Sequence, residues 1–115
     1  MKLLRMAIRL IVLVEVILGI LFWLGMARGL TSLHVGLGFL LVLCMIALGG
    51  IALARRAPIG IAAIVWALVL PVVGFAQLHV TSSAAHVIMQ VVHLLLGLGA
   101  AGISERVAAR SLTTV

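Results

Sequence analysis

The chain has 115 residues, 66% of them hydrophobic and only 9% charged, with a formal net charge of +6. With a mean hydropathy of +1.48, it has too little polar surface to cover a water-soluble domain of this size. The composition excludes a soluble domain and predicts an integral membrane protein, whose positive charge reflects topology and anionic lipid headgroups rather than nucleic acid.

Four apolar stretches are long enough to cross a bilayer as α-helices, which takes roughly 20 residues each. They cover residues 6–27, 33–54, 59–80 and 83–103. The basic start of the chain is also typical of a signal peptide, but the apolar run after Arg9 is long for one and no A-x-A-like cleavage site follows it. Because the connections are short, we expect an all-α, antiparallel four-helix bundle that forms one transmembrane domain, residues 1–115.

Basic residues flank the predicted spans unevenly. Those before the first span, between the second and third, and after the fourth are Lys2, Arg5, Arg9, Arg55, Arg56, Arg106 and Arg110. The other two connections hold only Arg28. The positive-inside rule therefore predicts that both termini are cytoplasmic, in a membrane of the bacterial inner or plasma type.

Polar side chains inside apolar spans are energetically expensive and are candidates for function. They are Glu15 in the first span, His34 in the second, Gln77 and His79 near the end of the third, and His86, Gln90 and His93 in the fourth. These residues also have structural interpretations. Glu15 would be a protonated carboxyl in the core rather than a proton-handling group, and the glutamines would form hydrogen bonds between helices. His79 would be a residue of the membrane interface.

Three of the histidines, His34, His86 and His93, lie on two helices expected to run parallel, which favours metal ligands. Zinc would need more donors, and carboxylates and cysteines are missing from this region. Haem b needs only one or two axial imidazoles, an apolar slot and small residues where the ring meets the backbone. Gly38 lies one turn below His34 and Gly97 one turn below His93, where such a ring needs room. The second and fourth helices, as diagonal partners, would have axes roughly 11–14 Å apart.

Two segments of the chain repeat each other weakly. Residues 18–43 and 73–101 both run from an aliphatic residue and glycine, through a loop, to an aliphatic residue, histidine and then Gly-Leu-Gly. The repeat predicts a pseudo-twofold bundle of two helical hairpins, in which His34 and His93 are equivalent.

The segment Glu15-Val-Ile-Leu-Gly19, followed by Leu33-His34, resembles a helical hairpin of the haem A synthase family and, more loosely, small b-type cytochromes of the cytochrome b561 kind. In that synthase family a Q-x-x-L-G helix and a helix that opens with Leu-His supply half of each haem site, so Glu15 stands where the family usually has Gln. The synthase has eight helices and a Glu three residues before its histidine, and this chain has neither. The resemblance therefore implies haem binding without synthase activity.

Two pairings of the histidines remain open. The repeat pairs His34 with His93, the pairing we favour. The distance of each histidine from the start of its helix favours pairing His34 with His86 instead. His34 follows Ser32 by two residues and His86 follows Ser83 by three, whereas His93 lies about 10 Å deeper along its helix. The histidine left out of the pair would form a hydrogen bond with a haem propionate, bind a second haem or contact Glu15.

The number of axial ligands decides the expected function. Two imidazoles leave no open position and predict electron transfer within or beside a respiratory-type complex, by one or two haems, rather than a stand-alone enzyme. One imidazole would predict a gas or redox sensor. A haem-free structural or assembly subunit and, less strongly, a proton-coupled transporter are the alternatives. The expected partners are lipid, further copies of the chain or a larger redox complex, and a quinone.

Overall fold

The computed structural model describes residues 1–113, and this range contains four α-helices and no strand. The helices are α1 (Lys2–Trp23), α2 (Thr31–Ala54), α3 (Gly60–Ala76) and α4 (Ser83–Thr113). Short 3₁₀ turns, Arg28–Leu30 and Gln77–His79, precede α2 and follow α3. By length and composition, each helix with its adjoining turn is able to cross a membrane. The all-α prediction is confirmed for the described residues.

The ends of α1 and α2 share one local structure, the Schellman motif. After α1, Gly25 has a φ of +76°, and the Met26 N–H donates to the carbonyl of Leu21. After α2, Arg56 takes the same left-handed conformation, with a φ of 59°, and the Ala57 N–H donates to Ala52. The motif ends α1 four residues before the predicted limit at residue 27.

The fourth helix is longer than its apolar span. It continues ten residues beyond residue 103, and its extension packs against the start of α1. Arg5 and Arg9 both donate hydrogen bonds to the Glu105 carboxylate. The hydropathy pattern missed this extension because the extension contains charged residues.

Helices α2 and α4 lie between α1 and α3, since each of them packs against both. They also contact each other, with Cα atoms within 8 Å. Because helical Cα atoms lie about 2.3 Å from the helix axis, this contact is compatible with the lower end of the expected gap of roughly 11–14 Å between the axes. Diagonal helices in a bundle touch in this way when the other pair moves apart.

The buried core is confined to one half of the molecule, here called the terminal half (residues 2–12, 41–70 and 98–113). Its buried apolar side chains are Ile8, Ile11, Val12, Leu41, Met45, Leu48, Ala52, Ala57, Ala63, Ala67, Leu70, Ala100, Val107 and Ala108. In the described part of the other half, the distal half (residues 13–40 and 71–97), only Leu18 is buried to this degree. The packing that stabilises the bundle therefore lies in the terminal half.

Glycines allow the close helix contacts of the terminal half. A Cβ atom at Gly60 would lie 2.3 Å from the carbonyl oxygen of Gly49, so α2 and α3 meet backbone to backbone. A Cβ at Gly99 would lie 2.4 Å from the Trp66 ring, whose indole N–H donates to the carbonyl of Leu96 at 2.9 Å. Larger side chains at these glycines would force the helices apart.

Candidate functional site

A cavity of about 400 Å³ occupies the distal half, between all four helices. Its floor lies where the packed core begins and is formed by Val12, Leu41, Val42 and Leu70. Its mouth lies beside the connections that follow α1 and α3, where Arg28, Thr31 and Leu78 line it. The volume is in the range of roughly 300–1,000 Å³ that small-molecule and cofactor sites occupy.

Most of the polar residues singled out from the sequence line this cavity. They are Glu15, His34, Gln77, His86, Gln90 and His93. His79 is not among the lining residues and is exposed, as expected of a residue beside a loop. The fold thus gathers side chains from four separate helical segments into one site.

His34 and His93 both line the cavity, and their rings lie close together. Their ring centres are 6.3 Å apart and the ring planes make an angle of 80°. The other side of His34 meets Phe22 edge to face, at 5.3 Å between ring centres. His93 is held from α3, where a Cβ at Gly74 would lie 3.0 Å from the imidazole Cε1. Both imidazoles are therefore confined by packing.

The carboxyl group of Glu15 lies next to His34. Its Oε2 is 3.0 Å from Nδ1 of His34, although the angle at the nitrogen does not make this contact a hydrogen bond. Both side chains are largely buried, with 13% and 21% of their surfaces exposed. A carboxyl beside one ring nitrogen leaves the other nitrogen, Nε2, free to bind a metal.

Several buried polar atoms of the cavity have no hydrogen-bond partner within the described residues. They are Oε1 of Glu15, Nδ1 of His34, Oε1 of Gln77 and Nδ1 of His93. A buried polar atom left without a partner costs roughly 1–3 kcal/mol, and such atoms are uncommon in native proteins. Their concentration around one cavity is typical of a site that receives a ligand.

His86 lies nearer the mouth, and its Nδ1 is 3.1 Å from the backbone oxygen of Gln77. Among the described residues, His34 has ring contacts with Phe22 and His93 and none with His86. The depth comparison from the sequence was wrong in assuming that α2 and α4 begin level. His34 is the fourth residue of α2 and His93 the eleventh of α4, so α4 begins about 10 Å farther out.

Glycines line the cavity on several helices. A Cβ at Gly97 would meet no atom within 4 Å, and one at Gly38 would meet only Glu15, at 3.6 Å. Both glycines border the cavity, as the sequence led us to expect. Substitution with alanine would therefore reduce the space available to a ligand without a clash with the protein.

The sequence reasoning missed three features of the site. Gly74, which backs the His93 ring, corresponds in the internal repeat to Gly19, and both line the cavity. The repeat could therefore have identified it. Phe22 lies within α1 and carried no such signal, and the approach of Arg28 depends on the turn that Gly25 makes.

Comparison of the chain with models of protein families, with curated proteins and with solved structures finds no match in any of the three. The site alone carries the functional reasoning.

The donor set limits the ligands that this site suits. Within the described range, no group of three or more His, Cys, Asp or Glu side chains is placed to hold a metal ion. A bare zinc or calcium ion, which needs three to eight protein ligands, does not fit two imidazoles. Haem iron takes four ligands from its macrocycle and needs only one or two from the protein. The residues present therefore fit haem better than a free ion.

Proposed function

We propose that this protein is a membrane-embedded b-type cytochrome that binds one haem between His34 and His93 and serves in electron transfer. The observation that carries the proposal is the distance of 6.3 Å between the ring centres of two histidines that line a cavity in the distal half. Imidazole nitrogens bind metal ions at about 2.0–2.1 Å, so two imidazoles on opposite sides of one metal ion have ring centres roughly 6 Å apart. The two distances agree.

The residues around the pair support this assignment. Glu15 at Nδ1 of His34 is the kind of partner that orients a metal-binding histidine and raises its basicity. The floor of the cavity is aliphatic, which suits the apolar face of a macrocycle and excludes water. Gly97 and Gly38 leave room along the two helices that carry the ligands.

Bound haem would supply a centre that takes up and releases one electron. His34 and His93 would hold the haem iron, and a haem held by two imidazoles is suited to electron transfer rather than to sensing oxygen or another gas. Glu15 would hold the ring of His34, and Gly74 would fix that of His93 by contact. The protein's own part is thus to hold two imidazoles rigidly in an apolar slot.

The placement in the membrane is part of the proposal. Four long apolar helices fit a membrane protein. We infer an antiparallel arrangement as two pseudo-twofold hairpins, with both termini and the 55–59 connection cytoplasmic and the cavity mouth on the opposite side. This arrangement agrees with the resemblance of the Glu15–His34 segment to haem A synthase hairpins. A further copy of the chain, a larger redox complex or a quinone would exchange the electron.

Visible spectra of the protein purified from haem-replete cells test the assignment. We expect a low-spin spectrum that changes on reduction with dithionite. His34→Ala and His93→Ala should each abolish the low-spin species, because each removes an axial ligand. His79→Ala is the matched control, since it removes an exposed imidazole outside the cavity lining and should leave the spectrum unchanged.

Colourless protein that also fails to take up added haemin would contradict the proposal and would favour a structural subunit. Loss of the low-spin species in His86→Ala but not in His93→Ala would assign the second ligand to the mouth of the cavity instead. We expect His86→Ala to shift the midpoint potential only, because His86 lines the same cavity without a ring contact to His34.

A further inference from the structure

Arg28 is the only lysine or arginine among the residues that line the cavity, and it lies at the mouth. The sequence has two acidic side chains, Glu15 and Glu105. Glu105 binds Arg5 and Arg9, and Glu15 lies beside His34. Neither carboxyl group forms an ion pair with Arg28 within the described residues.

The start of α2 adds to this positive potential. Its N-cap residue, Leu30, makes no side-chain hydrogen bond to the helix, and the hydroxyl of Thr31 instead donates to the carbonyl of Arg28 at 2.8 Å. The N-terminal end of a helix carries a partial positive charge that favours anions, and here the 3₁₀ turn takes up the N–H of Thr31, which donates to the carbonyl of Arg28. Thr31 lines the cavity together with Arg28, so both positive features lie at the mouth.

We propose that the mouth of the cavity is an oxyanion site, in which the guanidinium of Arg28 binds the carboxylates of the ligand. The inference rests on the proposed haem, since a haem carries two propionate carboxylates on one edge of its macrocycle. A guanidinium matches the geometry of a carboxylate with two parallel hydrogen bonds. Arg28 would thus set the direction in which the ligand enters, with its acidic edge at the mouth and its apolar edge on the floor.

Two probes, one with free and one with esterified carboxylates, test the site. Haemin and haemin dimethyl ester, in which both carboxylates are blocked, are titrated into the full-length protein in a neutral detergent, with absorbance as the readout. We expect the wild-type protein to bind haemin about tenfold more tightly than the ester. Arg28→Gln should lose most of this preference by weakening haemin binding alone. Unchanged binding of the ester would show that the variant is folded.

Arg55→Gln is the matched control, because Arg55 is an exposed arginine that does not line the cavity, and it should preserve the preference. Equal affinities of the wild-type protein for haemin and the ester, or an unaffected Arg28→Gln variant, would overturn the oxyanion site but not the haem. Failure of the wild-type protein to bind either probe would overturn both proposals.

A lipid phosphate has the same chemistry as a carboxylate, so the titration is repeated with added phosphatidylglycerol. We expect no change in haemin affinity. Competition by this lipid in the wild-type protein, absent in Arg28→Gln, would assign Arg28 to the lipid headgroup and overturn the proposal.

Discussion

At the scale of single residues, Glu15 is the side chain with the most direct influence on the site. It is largely buried in an apolar helix, one carboxyl oxygen has no hydrogen-bond partner, and the other lies 3.0 Å from His34. A carboxyl in such a position is energetically expensive, so the histidine beside it is the natural reason for its presence. We infer that Glu15 modifies the properties of His34 as a metal ligand rather than stabilising the fold.

We predict that Glu15→Gln raises the midpoint potential of the haem and keeps its low-spin spectrum. A carboxylate near the metal stabilises the oxidised, more positive form, and the amide of Gln has similar size without the charge. The rise should be about 60 mV for each tenfold loss of preference for the oxidised form, measured by redox titration.

Gln90→Leu serves as the control for this change, because Gln90 lines the cavity from α4 and makes no hydrogen bond to His34 within the described residues. An unchanged potential in Glu15→Gln would mean that Glu15 carries no charge beside His34. It would then be a neutral core carboxyl, the structural alternative considered from the sequence.

At the scale of the helices, Gly99 is the position at which α4 depends most on a neighbouring side chain. A Cβ there would lie 2.4 Å from the Trp66 ring, and the hydrogen bond from Trp66 to Leu96 keeps that ring from moving aside. We predict that Gly99→Ala lowers the free energy of unfolding by about 1–3 kcal/mol, the usual effect of overpacking. Thermal unfolding in detergent, followed by circular dichroism, measures the loss.

Gly102→Ala is the matched control on the same helix, because a Cβ at Gly102 would meet no atom within 4 Å. Alanine favours a helix over glycine by about 1 kcal/mol, so this variant should unfold at an equal or higher temperature. Equal stability of the two variants would show that α3 and α4 do not meet at Trp66.

The sequence predicted the four helices, but it did not predict how far out along the bundle each helix begins. Long apolar runs predict four helices, and Gly25 is a recognisable helix end. Neither the apolar pattern nor the serines at the helix starts indicated that α4 begins farther out than α2. That offset depends on contacts between helices, such as the one between Gly74 and His93. The internal repeat, which compares helix pairs rather than single helix ends, makes His34 and His93 equivalent, and their ring centres lie 6.3 Å apart.

At the scale of the whole molecule, the two halves of the bundle differ in what fills them. The terminal half is closed by aliphatic side chains, glycine contacts and the Arg5–Glu105 pair, whereas the distal half encloses the cavity. Such a division suits a binding site, because the packed half holds the helices in place around a cavity that is already formed. A bundle stabilised evenly along its length would leave no such slot.

We predict the membrane topology from the same division into a terminal and a distal half. Seven of the eight basic residues lie at the ends of the chain or in the 55–59 connection, and only Arg28 lies elsewhere. The positive-inside rule therefore places the terminal half at the cytoplasm. Reporter fusions after Arg56 and at the C-terminus should report the cytoplasm, and a fusion after Arg28 the opposite side. A reversed result would turn the mouth of the cavity to the cytoplasm and require a cytoplasmic electron partner.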